Sequence, residues 1–241
     1  MDILTLVVLI ITSIIQSIFG TGVLLFGTPL LLLLGYNFQN TLIILLPTSI
    51  LISLIQTVRN IKIIDYNFYK KLFIYSIPNI VLFLFLINQN PLKINIFVGL
   101  FLIILSLKQK IGSINYFLQN MIKFERLYLL TTGIIHGLTN LGGSLLSAIV
   151  FSKKISKESK RTTIAVSYLT FAIFQIITII LTFDYISAIS KWNLIYWASG
   201  LTTFFFVEKY LYLKINEKQY IIYSSFFLFI IGIMLVFNSN I

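Results

Sequence analysis

Cysteine is absent from this chain, and histidine occurs once. The first absence excludes disulfides and thiolate metal centres. The second, with no acidic residue inside any apolar run, argues against a metal site or an axially ligated haem. Charge is scarce too: 10% of the residues are charged, and only 7 of 241 are acidic. No nucleophile–base pair or metal motif is visible, and a single imidazole leaves little acid–base chemistry near neutral pH. The reading is therefore that the chain is not an enzyme and carries no cofactor.

What is abundant is apolar surface. The chain is 58% hydrophobic with a mean hydropathy of +0.98, more than a water-soluble domain can bury, which makes it an integral membrane protein. The net charge of +11 does not call for nucleic acid, because where the charges fall matters more than their sum. Asp2 precedes the first apolar run and no basic segment does, so that run reads as a retained helix and not as a cleaved signal peptide.

A bilayer core about 30 Å thick takes roughly 20 apolar residues per crossing helix. Ile3–Phe19 is the first apolar run; Gly20-Thr21-Gly22 interrupts it, and Val23–Leu34 follows. Thr41–Val58, Leu72–Ile87 and Ile94–Leu107 are expected to span, with Asn88–Lys93 as a tight turn and Lys108–Arg126 as a central connector. The order then repeats. Leu127–Leu138 is interrupted at Thr139–Gly143, Ser144–Phe151 is short, and Thr163–Thr182, Trp192–Val207 and Ile221–Phe237 are expected to span. The two interruptions lie 120 positions apart and pair Gln16 with His136, Gly20 with Asn140 and Gly22 with Gly142. The expectation is an all-α integral membrane protein made of two inverted repeats, residues 1–120 and 121–241. Each repeat is a broken or re-entrant helix hairpin plus three transmembrane helices.

The basic residues set the orientation. Four fall in Arg59–Lys71, four in Lys108–Arg126, five in Ser152–Thr162 and three in Glu208–Tyr220, which leaves Lys93 and Lys191 elsewhere. By the positive-inside rule the four rich loops are cytoplasmic. Both termini then lie outside a multi-pass plasma (inner) membrane protein. An odd number of crossings per half inverts the second half relative to the first. Tyr66, Tyr69, Tyr128, Trp192, Tyr210 and Tyr212 fall near helix ends, as an aromatic belt would.

Non-helical backbone survives at membrane depth only against protein or a water-filled cavity. Inverted repeats with broken helices place substrate where the breaks meet. The N-termini of Val23–Leu34 and Ser144–Phe151 would present N–H groups and the positive ends of helix dipoles there. Glycine allows close approach to that backbone. Such a site suits an anion without a buried lysine or arginine. The candidate binding residues are Gln16, Gly20, Thr21, Gly22, His136, Thr139, Asn140, Gly142, Gly143 and Ser144, and no metal ligands are expected. The competing reading is that the glycines serve helix packing and that His136 is a neutral hydrogen bonder. Gln56, Gln175, Thr48, Ser49, Ser167 and Tyr168 would either line a cavity or bond between helices.

At these residues the sequence resembles the TauE/SafE family of sulfite and organosulfonate exporters. Gly20-Thr21-Gly22 followed by Pro29, Leu30 and Gly35 is similar to one copy of that family's repeated motif, and Asn140-Leu141-Gly142-Gly143 to the other. Val23 stands where the family often has a further glycine, and Ile149 stands at the proline position of the second copy. The resemblance implies a plasma-membrane transporter of small, often sulfur-containing anions; with the paired breaks of the inverted repeats, the expected mechanism is alternating access around them. A channel-like anion uniporter and a membrane assembly or partner-binding protein that transports nothing stay open. The expected partners are the lipid bilayer and a small anion, with no nucleic acid, and a homodimer is compatible with the chain.

Overall fold

The computed structural model describes residues 2–89, 94–107, 111–183, 189–210 and 217–238, and within them the side chains other than those at 19, 114–115, 117–118, 209–210, 217–224 and 238. Most of the expected Asn88–Lys93 turn lies outside this set. Among the described residues no strand occurs. The first half holds α1 (Ile3–Phe19), α2 (Val23–Leu33), α3 (Phe38–Arg59), a short 3-10 turn (Ile61–Ile63), α4 (Tyr66–Gln89) and α5 (Ile94–Leu107). The second half holds α6 (Gly112–Lys123), α7 (Glu125–Thr139), α8 (Gly143–Ser152), α9 (Lys157–Thr182), α10 (Lys191–Tyr210) and α11 (Glu217–Asn238).

Local chemistry explains several boundaries. Asp2 caps α1 by accepting from the Leu4 amide at 3.0 Å and the Thr5 amide at 3.3 Å. Asn37 caps α3 through the Asn40 amide, and Ser156 caps α9 through the Ser159 amide. Each break starts with a left-handed residue: Gly20 at φ 76° ends α1 and Asn140 at φ 61° ends α7. Glycine and asparagine are the residues that tolerate this conformation. In both cases the amide of the left-handed residue bonds back four positions, to Gln16 and His136 respectively.

Among the described residues three helices are long and apolar enough to cross a membrane: Phe38–Arg59, Tyr66–Gln89 and Lys157–Thr182. α5 has 14 residues, about 21 Å at helical rise, less than the hydrocarbon thickness. α9 begins at Lys157, so much of the expected basic loop Ser152–Thr162 is the first turns of a helix. The expected central connector contains the helix α6.

The packing partners of the two halves correspond. α1 lies on α10 and α7 lies on α4; α3 lies on α9, and α5 lies on α11. α3 also meets α10, as α9 meets α4. Exchanging α1 with α7, α3 with α9, α4 with α10 and α5 with α11 returns this same set of contacts. The α5–α11 crossing is reciprocal at one pair of glycines. A Cβ on Gly99 would lie 2.8 Å from the Gly232 carbonyl oxygen, and a Cβ on Gly232 would lie 2.8 Å from that of Gly99. Backbones this close leave no room for a side chain on either. α3 and α9 form the middle of the bundle, and the core packs around Leu42, Leu45, Ile52, Ile164, Phe171 and Ile179.

Candidate functional site

The two breaks are built alike. After each left-handed residue the chain turns back so that the next short helix starts against the helix just finished. A Cβ on Gly22 would lie 2.5 Å from the Gln16 nitrogen and 2.7 Å from the Thr12 oxygen. A Cβ on Gly142 would lie 2.5 Å from both the His136 Cβ and the Thr132 oxygen. Thr12, Gln16 and Gly22 thus have Thr132, His136 and Gly142 as counterparts, each 120 positions on. The closeness expected at these glycines is realised inside the protein, against their own half's preceding helix.

Side chains complete the first break. Gln16 Oε1 accepts from the Val23 amide at 2.9 Å, capping α2. Gln16 Nε2 donates to Ser53 Oγ at 3.2 Å, and Gln56 Nε2 donates to the Gln16 carbonyl at 3.2 Å. All of these are buried. The amides of Leu24 and Leu25, the next two of α2, find no acceptor among the described residues. In the second break the α8 amides of Ser144 and Leu145 are satisfied within the turn, by Leu141 and Gly142 oxygens. The N–H groups expected to be free are therefore partly used, and more remain at α2 than at α8.

The second break carries a directed chain of hydrogen bonds. His136 Nε2 lies 3.2 Å from Gln175 Oε1. An amide oxygen only accepts, so this ring nitrogen carries the proton. Gln175 Nε2 donates to Asn140 Oδ1 at 3.1 Å, and Asn140 Nδ2 donates to Thr28 Oγ1 at 2.8 Å. The chain runs from α7 through α9 and the second break to α2. His136, fully buried, packs its ring on Phe171 with centroids 4.7 Å apart, and its Nδ1 has no partner among the described residues.

Tyr168, on α9, joins the breaks. Its hydroxyl lies 2.6 Å from Thr21 Oγ1 in the first break. A Cβ on Gly143, in the second break, would lie 1.4 Å from the same hydroxyl. The hydroxyl therefore occupies the space beside Gly143 that any other residue would need. Of the ten candidate residues, Thr21 and Gly143 meet at Tyr168. Asn140 reaches across to α2, while Gln16 and His136 each serve their own half. Thr139 Oγ1 bonds the Ile135 carbonyl and accepts from the Leu141 amide, and half-buried Ser144 bonds the Leu141 carbonyl. These three bonds shape the turn.

Two groups missed by the sequence reading stand at this site. Thr28 reads as one more small residue in an apolar run. Arg161 reads as part of a basic loop, yet its side chain is 11% exposed, and its Cγ would lie 3.4 Å from a Cβ on Gly20. At the other end of α1, a cavity of about 290 Å³ opens among Asp2, Tyr36, Asn40, Asn193 and Tyr196. Among the described residues no group of histidines and carboxylates could hold a metal ion.

The family model for Sulfite exporter TauE/SafE matches residues 4–235, nearly the whole chain. Comparison with curated proteins and comparison with solved structures each gave no match.

Proposed function

Since the chain belongs to the sulfite exporter TauE/SafE family of membrane transporters, we propose that it moves a small sulfur oxyanion, of the sulfite or organosulfonate type, by alternating access at its two breaks. The observation that carries this reading is the meeting of both breaks at one hydroxyl, that of Tyr168. A hydroxyl between two helix N-termini can donate to an anion, and N-terminal amides with the positive dipole end favour negative charge. The Leu24 and Leu25 amides supply further donors. In the arrangement described, Tyr168 fills the place the anion would take.

The halves would act as inverted repeats rocking against each other. Their exchangeable packing partners and the reciprocal Gly99–Gly232 contact support this. The charge bias supports a plasma membrane orientation with both termini outside. The Arg59–Glu208–Arg161 ion group then closes the cytoplasmic end, and the Asp2–Tyr36–Asn193 cavity faces outward.

The test is sulfite flux into proteoliposomes holding the purified chain. The expected result is saturable flux, faster when sulfite is present on the far side. Flux that follows only the membrane potential would favour a channel-like path. Absence of flux for sulfite and for simple organosulfonates would overturn the reading.

A further inference from the structure

Glu208, near the C-terminal end of α10, is a hub for two cations. Arg59 Nη1, at the end of α3, pairs with Oε2, and Arg161 Nη2, in the first turns of α9, lies 2.9 Å from Oε1. The same Arg161 nitrogen donates to the Ser17 carbonyl at 2.6 Å, an acceptor that α1 leaves open by ending at the break. A Cβ on Gly20 would lie 3.1 Å from the Arg161 carbonyl oxygen. A guanidinium is thus held against the first break by a carboxylate. Both side chains are largely withdrawn from water, at 11% and 15% exposed.

The position 120 residues earlier provides a comparison. Asn88, at the end of α4, accepts from Gln39 on α3 at 3.4 Å and donates to Thr182 on α9 at 2.7 Å. It ties together the same kinds of element at the opposite end of the bundle, and does so without charge. Joining these helix ends therefore does not require ions. Exchanging withdrawn ion groups for neutral ones is often neutral or stabilising, so stability alone does not account for the charged version. A guanidinium fork matches any anion that offers two oxygens on one centre, which a carboxylate and a sulfur oxyanion both do.

We propose that Arg161, with Arg59 beside it, is an anion subsite at the cytoplasmic mouth of the first break. Glu208 occupies it as an internal counter-anion until a small oxyanion takes the carboxylate's place. Displacement frees α10 from α9 and α3 at that end, so arrival of the anion and opening of the end become one event. The proposal rests on the transport reading above and extends it to a charged contact and its competitor.

Sulfite binding to the purified full-length chain tests it, read by calorimetry at constant ionic strength and by thermal stabilisation. Arg161→Gln should weaken sulfite binding by about tenfold or more, the scale of one hydrogen bond to a charged group. Arg161→Lys should fall between the two. Glu208→Gln removes the competitor and should tighten binding severalfold. If Glu208→Gln fails to fold, the Arg161→Gln/Glu208→Gln double variant restores a neutral junction like that of Asn88; it should fold and bind sulfite weakly. Weakening by Glu208→Gln equal to that by Arg161→Gln would overturn the proposal, as would unchanged binding in Arg161→Gln or in the double variant, or a wild-type chain that binds no sulfite. Binding that follows this pattern in a chain that moves no sulfite would leave the subsite standing and refute the transport reading. Flux with unaltered affinity in Arg161→Gln would do the reverse.

Discussion

Thr21 and Tyr168 share a hydrogen bond of 2.6 Å across 147 residues of chain. It ties the first break to the central helix of the second half, and the tyrosine ring that makes it leaves Gly143 no space for a side chain. Gly143→Ala should force the ring aside and cost about 1–3 kcal/mol, the usual effect of overfilling a packed interior. Shortening the opposing side chain in Gly143→Ala/Tyr168→Leu should recover part of that loss in thermal unfolding. Equal stability of the single and double variants would show that the ring and the glycine are not coupled.

Gly22 and Gly142 should behave as a pair. An added Cβ meets the Gln16 nitrogen in one case and the Thr132 oxygen in the other, each at 2.5 Å. These are backbone atoms and cannot swing away. Gly22→Ala and Gly142→Ala are both expected to lower stability by more than about 1 kcal/mol and to abolish flux. A fully stable, active variant at either position would contradict the close packing described.

Asn140 separates backbone from side-chain effects. Asn140→Gly keeps the left-handed turn, as Gly20 does in the first half, and loses the bonds to Thr28 and Gln175. The expected loss is about 1–3 kcal/mol. Asn140→Ala loses the same bonds and adds roughly 1 kcal/mol of left-handed strain. Alanine should therefore be the worse substitution in denaturation, and the reverse order would rule out this account.

Acid should weaken the ion pairs at Glu125, at the start of α7. Burial raises the affinity of this carboxyl for protons, but Lys71 and Lys153 beside it outweigh that effect and hold it below its ordinary 4.5. A carboxyl with a lowered folded pKa gives stability that is present above its unfolded value and is lost as pH falls through the folded one. Thermal midpoints should therefore drop as pH is taken below 4.5, and Glu125→Gln should make that drop shallower. Identical slopes for the two proteins would exclude this contribution.

Orientation can be read by chemistry, since the chain has no cysteine of its own. Lys154→Cys, exposed between α8 and α9, should react with an impermeant thiol reagent only after the cells are opened. Reaction in intact cells would reverse the assignment made from the basic loops.

The breaks were legible in the sequence because glycine and asparagine interrupt otherwise unbroken apolar runs, and few other residues tolerate a left-handed turn. The correspondence of Gln16 with His136 was legible from spacing alone. What these residues touch was not. Gly22 and Gly142 face their own preceding helices, a fact set by how sharply the chain reverses, which spacing does not encode. Tyr168 stood among several polar residues on α9, and only the approach of α2 and α8 selects it. Arg161 reads as a loop residue because a run of basic residues looks solvated. α9 instead starts within that run, at Lys157, and the helical turn carries Arg161 inward while Lys154, before the helix, stays outside.

The bonds running from His136 to Thr28 have a direction, and one proton sets it. With hydrogen on Nε2, each amide along the line must give its oxygen backward and its nitrogen forward. If the hydrogen moved to Nδ1, which has no partner among the described residues, Gln175 would have to turn over to supply a donor. Asn140 would then turn in answer, and Thr28 would change from acceptor to donor. The line would therefore reverse only as a whole, because the orientation of each amide fixes that of the next. A choice between tautomers of one ring on α7 dictates the polarity of a contact on α2, in the other half of the molecule.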